Sequence, residues 1–389
     1  TINRHFADAG YNVLGTGKVY HYDSDNREQF ADGYLPTQCK AFGRGYLTEA
    51  SQEMIELNSR EREGRGLGPE VAGSGRGPCT EVGPLPEEDY PDGATAARAI
   101  AALNELKDTE EPFFLGVGWL KPHLPFVAPQ KYWDLYPEEN IPFPENHQMP
   151  ADMPSFSANY NYGELRNYYD VPYEGAFSKE LDLRLLRGYR ACVSFMDAQV
   201  GKVLDALEAN GLAEDTVVVF VVDHGFQLRE HDLFCKHTAF QESYHVPMFI
   251  RAPGVSIEDG RIRGISENID LFPTLCELCG LQPPAKLDGE SRVDWLKNPD
   301  DAGKEAAFCV WGVEKRADPH QAIIGFSVVT DRYRYTEWTR QAEGEILSRE
   351  LFDLKQDAGE TCNLAVDQNF HAVMQDLSRR ISDWKSGAD

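Results

Sequence analysis

Residues 216–236 read TVVVFVVDHGFQLREHDLFCK. Val217 to Val222 form an apolar, mostly β-branched run, the pattern of a strand buried on both faces. Such a strand delivers Asp223 and His224 to its carboxyl end, and Gly225 lets the chain turn sharply there. In open α/β sheets, ligands bind at that end of the strands. A carboxylate beside an imidazole at such a place is a metal-ligand or acid/base pair. Lys236 follows in a polar loop able to fold back over it. Read alone, Asp-His-Gly is equally a turn whose aspartate caps the next segment, so the rest of the chain must decide.

Upstream, Ile2, Phe6 and Ala9 recur at helical spacing and Gly10 stops that helix. Tyr11 to Leu14 is a short strand, from which Gly15-Thr16-Gly17-Lys18-Val19-Tyr20-His21 emerges. Residues 60–93, rich in Gly, Pro and Glu, read as a long surface excursion. Asp92 then caps a helix over Ala94–Lys107. Phe113 to Trp119 is a second buried strand, ending in Leu120-Lys121-Pro122-His123-Leu124-Pro125-Phe126, a loop stiffened by two prolines. Lys121 reads as a flanking charge. Residues 137–178 have no period and suggest a substrate-facing loop region.

Ser178 to Ala209 carries the apolar stripe of a long helix feeding the 216–222 strand, and Val246 to Ile250 is the next strand. Strand and helix in alternation predict an α/β fold: a three-layer α/β/α sandwich around a central mixed, mainly parallel sheet. After residue 300, short strands at 306–311, 323–330, 333–338 and 349–354 precede a helix near 370–385. They predict a smaller C-terminal antiparallel sheet with a helix, hence a larger α/β domain over 1–300 and a subdomain over 301–389.

Composition narrows the function. The 389 residues carry 38 basic and 64 acidic side chains, a net charge of −26, which argues against general nucleic-acid binding. No apolar run reaches the ~18 residues of a membrane span. The eight cysteines form no evident disulfide framework. The Cys276-x-x-Cys279 pair follows an apparent helix start, where its spacing reads as core packing rather than zinc or redox chemistry. Oligomeric state leaves no trace in the sequence.

Three strand ends thus offer polar groups: Lys18 with His21, Lys121 with His123, and Asp223 with His224 near Lys236. One histidine on a loop means little. Three such loops at one sheet edge make a cationic pocket with an acidic metal anchor, suited to a sulfate or phosphate and a hard divalent cation.

The ordered motifs Gly-Lys-Val-Tyr-His (17–21), Lys-Pro-His-Leu-Pro-Phe (121–126), Asp-His-Gly-Phe-x-Leu-x-Glu-His…Lys (223–236), His-Val-Pro (245–247) and Asp-Leu-Phe-Pro-Thr-Leu (270–275) resemble those of type I, formylglycine-dependent sulfatases of the alkaline phosphatase superfamily. The Asp-His pair, in place of the commoner Asp-Asn, resembles the iduronate-2-sulfatase branch. The similarity extends to Thr-Asp-Arg-Tyr-Arg-Tyr (330–335) and Glu-Leu-Phe-Asp-Leu (350–354). It implies that Asp223 and His224 are Ca²⁺ ligands and that Lys18 and His21 support the nucleophile and reopen the covalent sulfate intermediate. It implies too that His123 and Lys236 bind sulfate and assist the leaving group. His231 and His237 read as loop residues. A sulfated carbohydrate, such as a 2-O-sulfated uronic acid, is the implied substrate. Lys315, Arg316, Arg332 and Arg334 are candidates to recognise its carboxylate or further sulfates. The implied location is periplasmic, extracellular or lysosome-like.

The family's nucleophile arises from Cys or Ser in Cys/Ser-x-Pro/Ala-x-Arg. No cysteine here fits: Cys39 has Ala41 two places on, but Gly43 where arginine is needed. No serine fits either. The resemblance therefore implies that the nucleophile and a pair of calcium-binding aspartates lie on an N-terminal segment upstream of Thr1, acting as partner to this chain. Two other classes stay open: a phosphodiesterase or phosphonate monoester hydrolase of the same superfamily, and a non-catalytic binder of sulfated glycans.

Overall fold

The computed structural model describes the chain except residues 22, 65–75, 158–163, 258–259, 299, 302, 314–321 and 388–389. The chain divides into two compact units: Thr1–Pro142 with Gly163–Thr216, and Phe143–Tyr162 with Val217–Asp389. That division falls upstream of residue 300.

In the first unit, helix α1 (Ile2–Asp8) buries Phe6 and is followed by Gly10 at φ +88°. Strand β1 (Asn12–Gly17) runs parallel to β2 (Tyr34–Leu35) on one side, after α2 (Asp23–Phe30), and to β4 (Phe113–Gly118) on the other. Helix α3 (Glu49–Gly64) and strand β3 (Thr80–Gly83) precede α4 (Pro91–Leu106), β4 (Phe113–Gly118), β5 (Phe126–Pro129) and the short α5 (Gln130–Trp133). β3 pairs in parallel with β5, whose Phe126, Val127 and Ala128 are fully buried. Helix α6 (Lys179–Ala209) starts at the N-cap Ser178, whose hydroxyl accepts from the Leu181 amide. It buries Leu181, Leu185, Cys192, Phe195 and Leu207, most of the expected stripe.

Two expectations change here. The 60–93 stretch is not a surface excursion throughout: Cys79, Glu81 and Tyr90 are buried. Glu81 draws β3 inward because its carboxylate accepts from Thr48 Oγ1, Ser51 Oγ and the Leu47 amide. Asp92 does not cap α4, whose N-cap is Tyr90. It lies buried and accepts from the amides of Leu120 and Lys121 at 2.8 and 2.9 Å.

In the second unit, β6 (Val218–Val221) pairs with β9 (Met248–Arg251) in antiparallel register, not the parallel one that strand–helix alternation predicts. The connection explains it. A hairpin, β7 (Gln227–Leu228) with β8 (Phe234–Cys235), and the single turn α7 (Gln241–Tyr244) replace a crossover helix, so the chain returns alongside β6 in reverse. Nor is β6 buried on both faces: Val221 is 40% and Phe249 of β9 64% exposed.

Helices α8 (Leu271–Leu278) and α9 (Val293–Lys297) follow. Cys276 is buried in α8 and Cys279 caps it, as core packing requires; both are free thiols. Strands β10 (Ala307–Val313), β11 (Ile323–Val329), β12 (Tyr333–Arg340) and β13 (Ile346–Asp353) form the expected antiparallel meander. Helix α10 (His371–Ser386) packs Met374, Leu377 and Ile381 onto Val328, Tyr335 and Leu351, a core in which each large side chain is worth roughly 1.5–3 kcal/mol. The protein is thus mixed α/β, with a parallel sheet and a C-terminal antiparallel sheet backed by a helix.

Candidate active site

Lys18 and His123 leave the same end of neighbouring parallel strands. Gly17 pairs with Gly118 across β1 and β4, and the Lys18 amide donates to the Gly118 carbonyl at 2.9 Å. Gly17 has φ +71°, and a Cβ there would lie 2.1 Å from Gly118 O. Only glycine permits this approach, so the Gly-Lys spelling fixes where Lys18 begins. Lys18 is half-buried and His21 exposed.

The His123 loop is held from beneath. Asp92 binds its first two amides, and Lys121 is buried, its Nζ donating to Pro125 O at 2.6 Å and to His123 O at 3.4 Å. Lys121 is therefore no flanking charge. Its ammonium closes the loop on itself, and burial pushes that group down while pushing the Asp92 carboxyl up. The Lys121–Pro122 and Leu124–Pro125 peptides are both cis. On this support the His123 ring points Nδ1 at Leu124 O, 2.7 Å away, and Nε2 at Glu164 Oε1, 3.3 Å away.

In the second unit, Asp223 and His224 follow β6. Gly225 is required by close approach: its Cβ would lie 2.0 Å from Glu242 O, and its amide donates to Ser243 O at 2.8 Å. The Asp223 side chain is 73% exposed, with Oδ1 accepting the His224 amide. His224 Nδ1 donates to Gly225 O at 2.9 Å, which turns Nε2, 3.6 Å from Asp223 Oδ2, into the nitrogen that can accept or ligate. An oxygen and a nitrogen so spaced suit adjacent ligands of one cation. Calcium takes about six to eight ligands, chiefly oxygens, so the Asp223 carboxylate fits such a site, the imidazole is a softer donor than the usual ones, and the pair alone does not make one. Among the described residues no group of three or more His, Cys, Asp or Glu stands ready to hold a metal. Lys236 leaves the β7–β8 hairpin directly after Cys235, which is buried at φ +72°. Arg229, His231 and Asp232 in the hairpin turn share that left-handed backbone.

The expected substrate-reading arginines fare differently. Arg334 is fully buried between Glu350 and Glu360, over the rings of Phe240 and Phe352, and cannot meet a ligand. Burial opposes its charge, but the two carboxylates outweigh that and hold it ionised. Arg332 is half-exposed and grips Asp353 through Nε and Nη2 at 3.0 and 2.7 Å. Lys315 and Arg316 lie outside the described residues. His231 is a buried core group rather than an open loop residue, stacked on Phe240 at 3.7 Å. Glu164, which faces His123, was missed because it sits in an aperiodic stretch with no spacing to any histidine.

Comparison with known proteins identifies the family. The sulfatase family model matches residues 1–281, and that of the N-sulphoglucosamine sulphohydrolase C-terminal region matches residues 229–387. Iduronate 2-sulfatase of Mus musculus is 26% identical over 97% of this chain and 78% of its own length. Among solved structures, a 2-O GAG sulfatase superposes with a TM-score of 0.67 at 20% identity, covering 99% of this chain and 75% of its own. A phosphonate monoester hydrolase from Silicibacter pomeroyi does so with a TM-score of 0.71 at 20% identity, covering 99% and 79%. With the family's pattern spanning most of its length, this chain belongs to the sulfatase family and is a sulfuric ester hydrolase.

Proposed function

We propose that the protein removes sulfate from a sulfated carbohydrate, with a 2-O-sulfated uronic acid as the preferred residue. The observation that carries this reading is the sulfatase match over residues 1–281, which spans Lys18, His21, His123, Asp223, His224 and Lys236. The sugar is suggested by the similarity to iduronate 2-sulfatase and by the 2-O GAG sulfatase among the structural neighbours.

In this reading Asp223 and His224 would contribute to holding a Ca²⁺, and the nucleophile would be a formylglycine. When bound, the metal would supply polarisation of the sulfate, and the formylglycine would supply nucleophilic chemistry. Lys18 and Lys236 balance charge on the sulfate oxygens, at no cost in reorganisation if already in place. His123 donates its Nε2 proton to the leaving alkoxide, and His21 takes a proton as sulfate departs.

Sulfate release from an oligosaccharide ending in 2-O-sulfated uronic acid, compared with an aryl sulfate and a phosphonate monoester, tests this. Fastest turnover of the uronate supports it. Faster phosphonate turnover moves the protein to the phosphonate hydrolases, and tight glycan binding with no sulfate release makes it a binding protein.

A further inference from the structure

His123 has an acceptor at both ring nitrogens. A backbone carbonyl cannot donate, so the 2.7 Å contact to Leu124 O requires a proton on Nδ1. Nε2 then presents a lone pair to the Glu164 carboxylate, which is repulsive, accepts a proton carried by Glu164, or carries a second proton toward Oε1 at 3.3 Å, and the partial exposure of both side chains favours the charged pair. We propose that Glu164 is a positioning residue that holds His123 as the doubly protonated imidazolium, the form able to bind sulfate and protonate the leaving alkoxide. This rests on the role given to His123 above.

The two sides of the contact are anchored separately. His123 rides on the Asp92–Lys121 support. Glu164 begins a single 3₁₀ turn, Leu165–Asn167, in which Leu165 and Arg166 are buried. Helix α3 grips that turn: Arg62 donates to Arg166 O at 2.7 Å and to Asn167 Oδ1 at 2.8 Å, and Asn58 donates to Asn167 O at 2.9 Å. Arg166 itself is spent on the carbonyls of Pro172 and Gly175, both at 2.6 Å. The Glu164 side chain is only 12% and that of His123 22% exposed, so the charge pair is weakly screened. The other charged groups on this support, Lys121 and Asp92, bond to the loop's own backbone. At 3.3 Å the Nε2–H bond is long, so the carboxylate keeps the proton on the ring yet lets it turn to an entering ester oxygen. After that proton passes to the alkoxide, neutral His123 faces Glu164 unfavourably and takes a new proton from water, which resets the acid.

The isosteric Glu164→Gln change tests this with two readouts. In NMR titration of labelled histidine, assigned through His123→Ala, the His123 midpoint should move to lower pH in E164Q. The falling limb of the pH–rate profile should move the same way, with a roughly ten- to hundred-fold loss of kcat at alkaline pH and little change at acid pH. Glu164→Asp should restore part of both. An unchanged His123 titration in folded E164Q overturns the proposal. If the titration moves but His123→Ala turns over sulfate esters normally, it is the catalytic role of His123 that fails, and the proton-holding role of Glu164 stands.

Discussion

His123 and His231 are built alike and behave oppositely. Each ring gives one nitrogen to a backbone carbonyl: Nδ1 to Leu124 O for His123, and Nε2 to Gly359 O, 3.0 Å away, for His231. Each turns its other nitrogen to a glutamate, Glu164 at 3.3 Å and Glu242 at 4.0 Å. The difference is water. His123 keeps some exposure, so the charged pair is tolerated. His231 is fully buried and stacked on Phe240, and burial pushes its imidazole toward the neutral form. The same burial, aided by Glu360 and Glu230, lifts the Glu242 carboxyl to about 7. Among the described residues, His231 Nδ1 and Glu242 Oε2 have no hydrogen-bond partner, and at 4.0 Å they lie too far apart to bond each other directly. Burial, not the residue pair, sets the difference: it drives His231 toward the neutral form, whereas the proposal above keeps both protons on the less buried His123.

Four outcomes break or sharpen that contrast. His123→Ala should lower kcat about 100- to 10,000-fold while leaving the thermal unfolding midpoint nearly unchanged. A variant that unfolds early instead would make His123 structural as well. Around His231 the effects should be on stability. Arg334→Ala strands Glu350 and Glu360 in the core and should cost about 3–5 kcal/mol by denaturant unfolding. A cost near zero would mean that water reaches those carboxylates. His231→Ala removes the stack on Phe240 and should cost roughly 2–3 kcal/mol with turnover per folded molecule retained.

The smallest effect is a pH slope. The Glu242 carboxyl is raised in the fold above its ordinary 4.5, so the folded state binds the extra proton between about 4.5 and 7. Its stabilising contribution is present at low pH and is lost as pH rises through that window. Glu242→Gln should thus gain on the parent by about 1–2 kcal/mol between pH 5 and 8 in paired unfolding curves. A pH-independent difference would put the proton elsewhere.

The sequence was most legible where burial is one-sided and periodic. The expected β11 and terminal helix match Ile323–Val329 and His371–Ser386 closely, because a short apolar run and a helical stripe are each strong local signals. Arg334 escaped the same logic. It shares a β12 face with Thr336 and Trp338, and that face is buried as well, around a buried ion network that polarity alone cannot foretell. β6 misled for the opposite reason, since its apolar run is only half covered here. The motifs point to Lys18, His123, Asp223 and His224 through short local spellings. Glu164 and Asp92 were illegible because their partners are set by tertiary packing, which leaves no spacing in the chain.

The buried carboxylate beneath the His123 loop has a kinetic consequence. Surface loops normally trade their amide protons with solvent quickly, since water is their hydrogen-bond partner. The Leu120 and Lys121 amides are instead sealed onto Asp92, which water does not reach. Their exchange should be slow, in step with the helix that carries Asp92, so that this segment opens only when α4 itself comes loose.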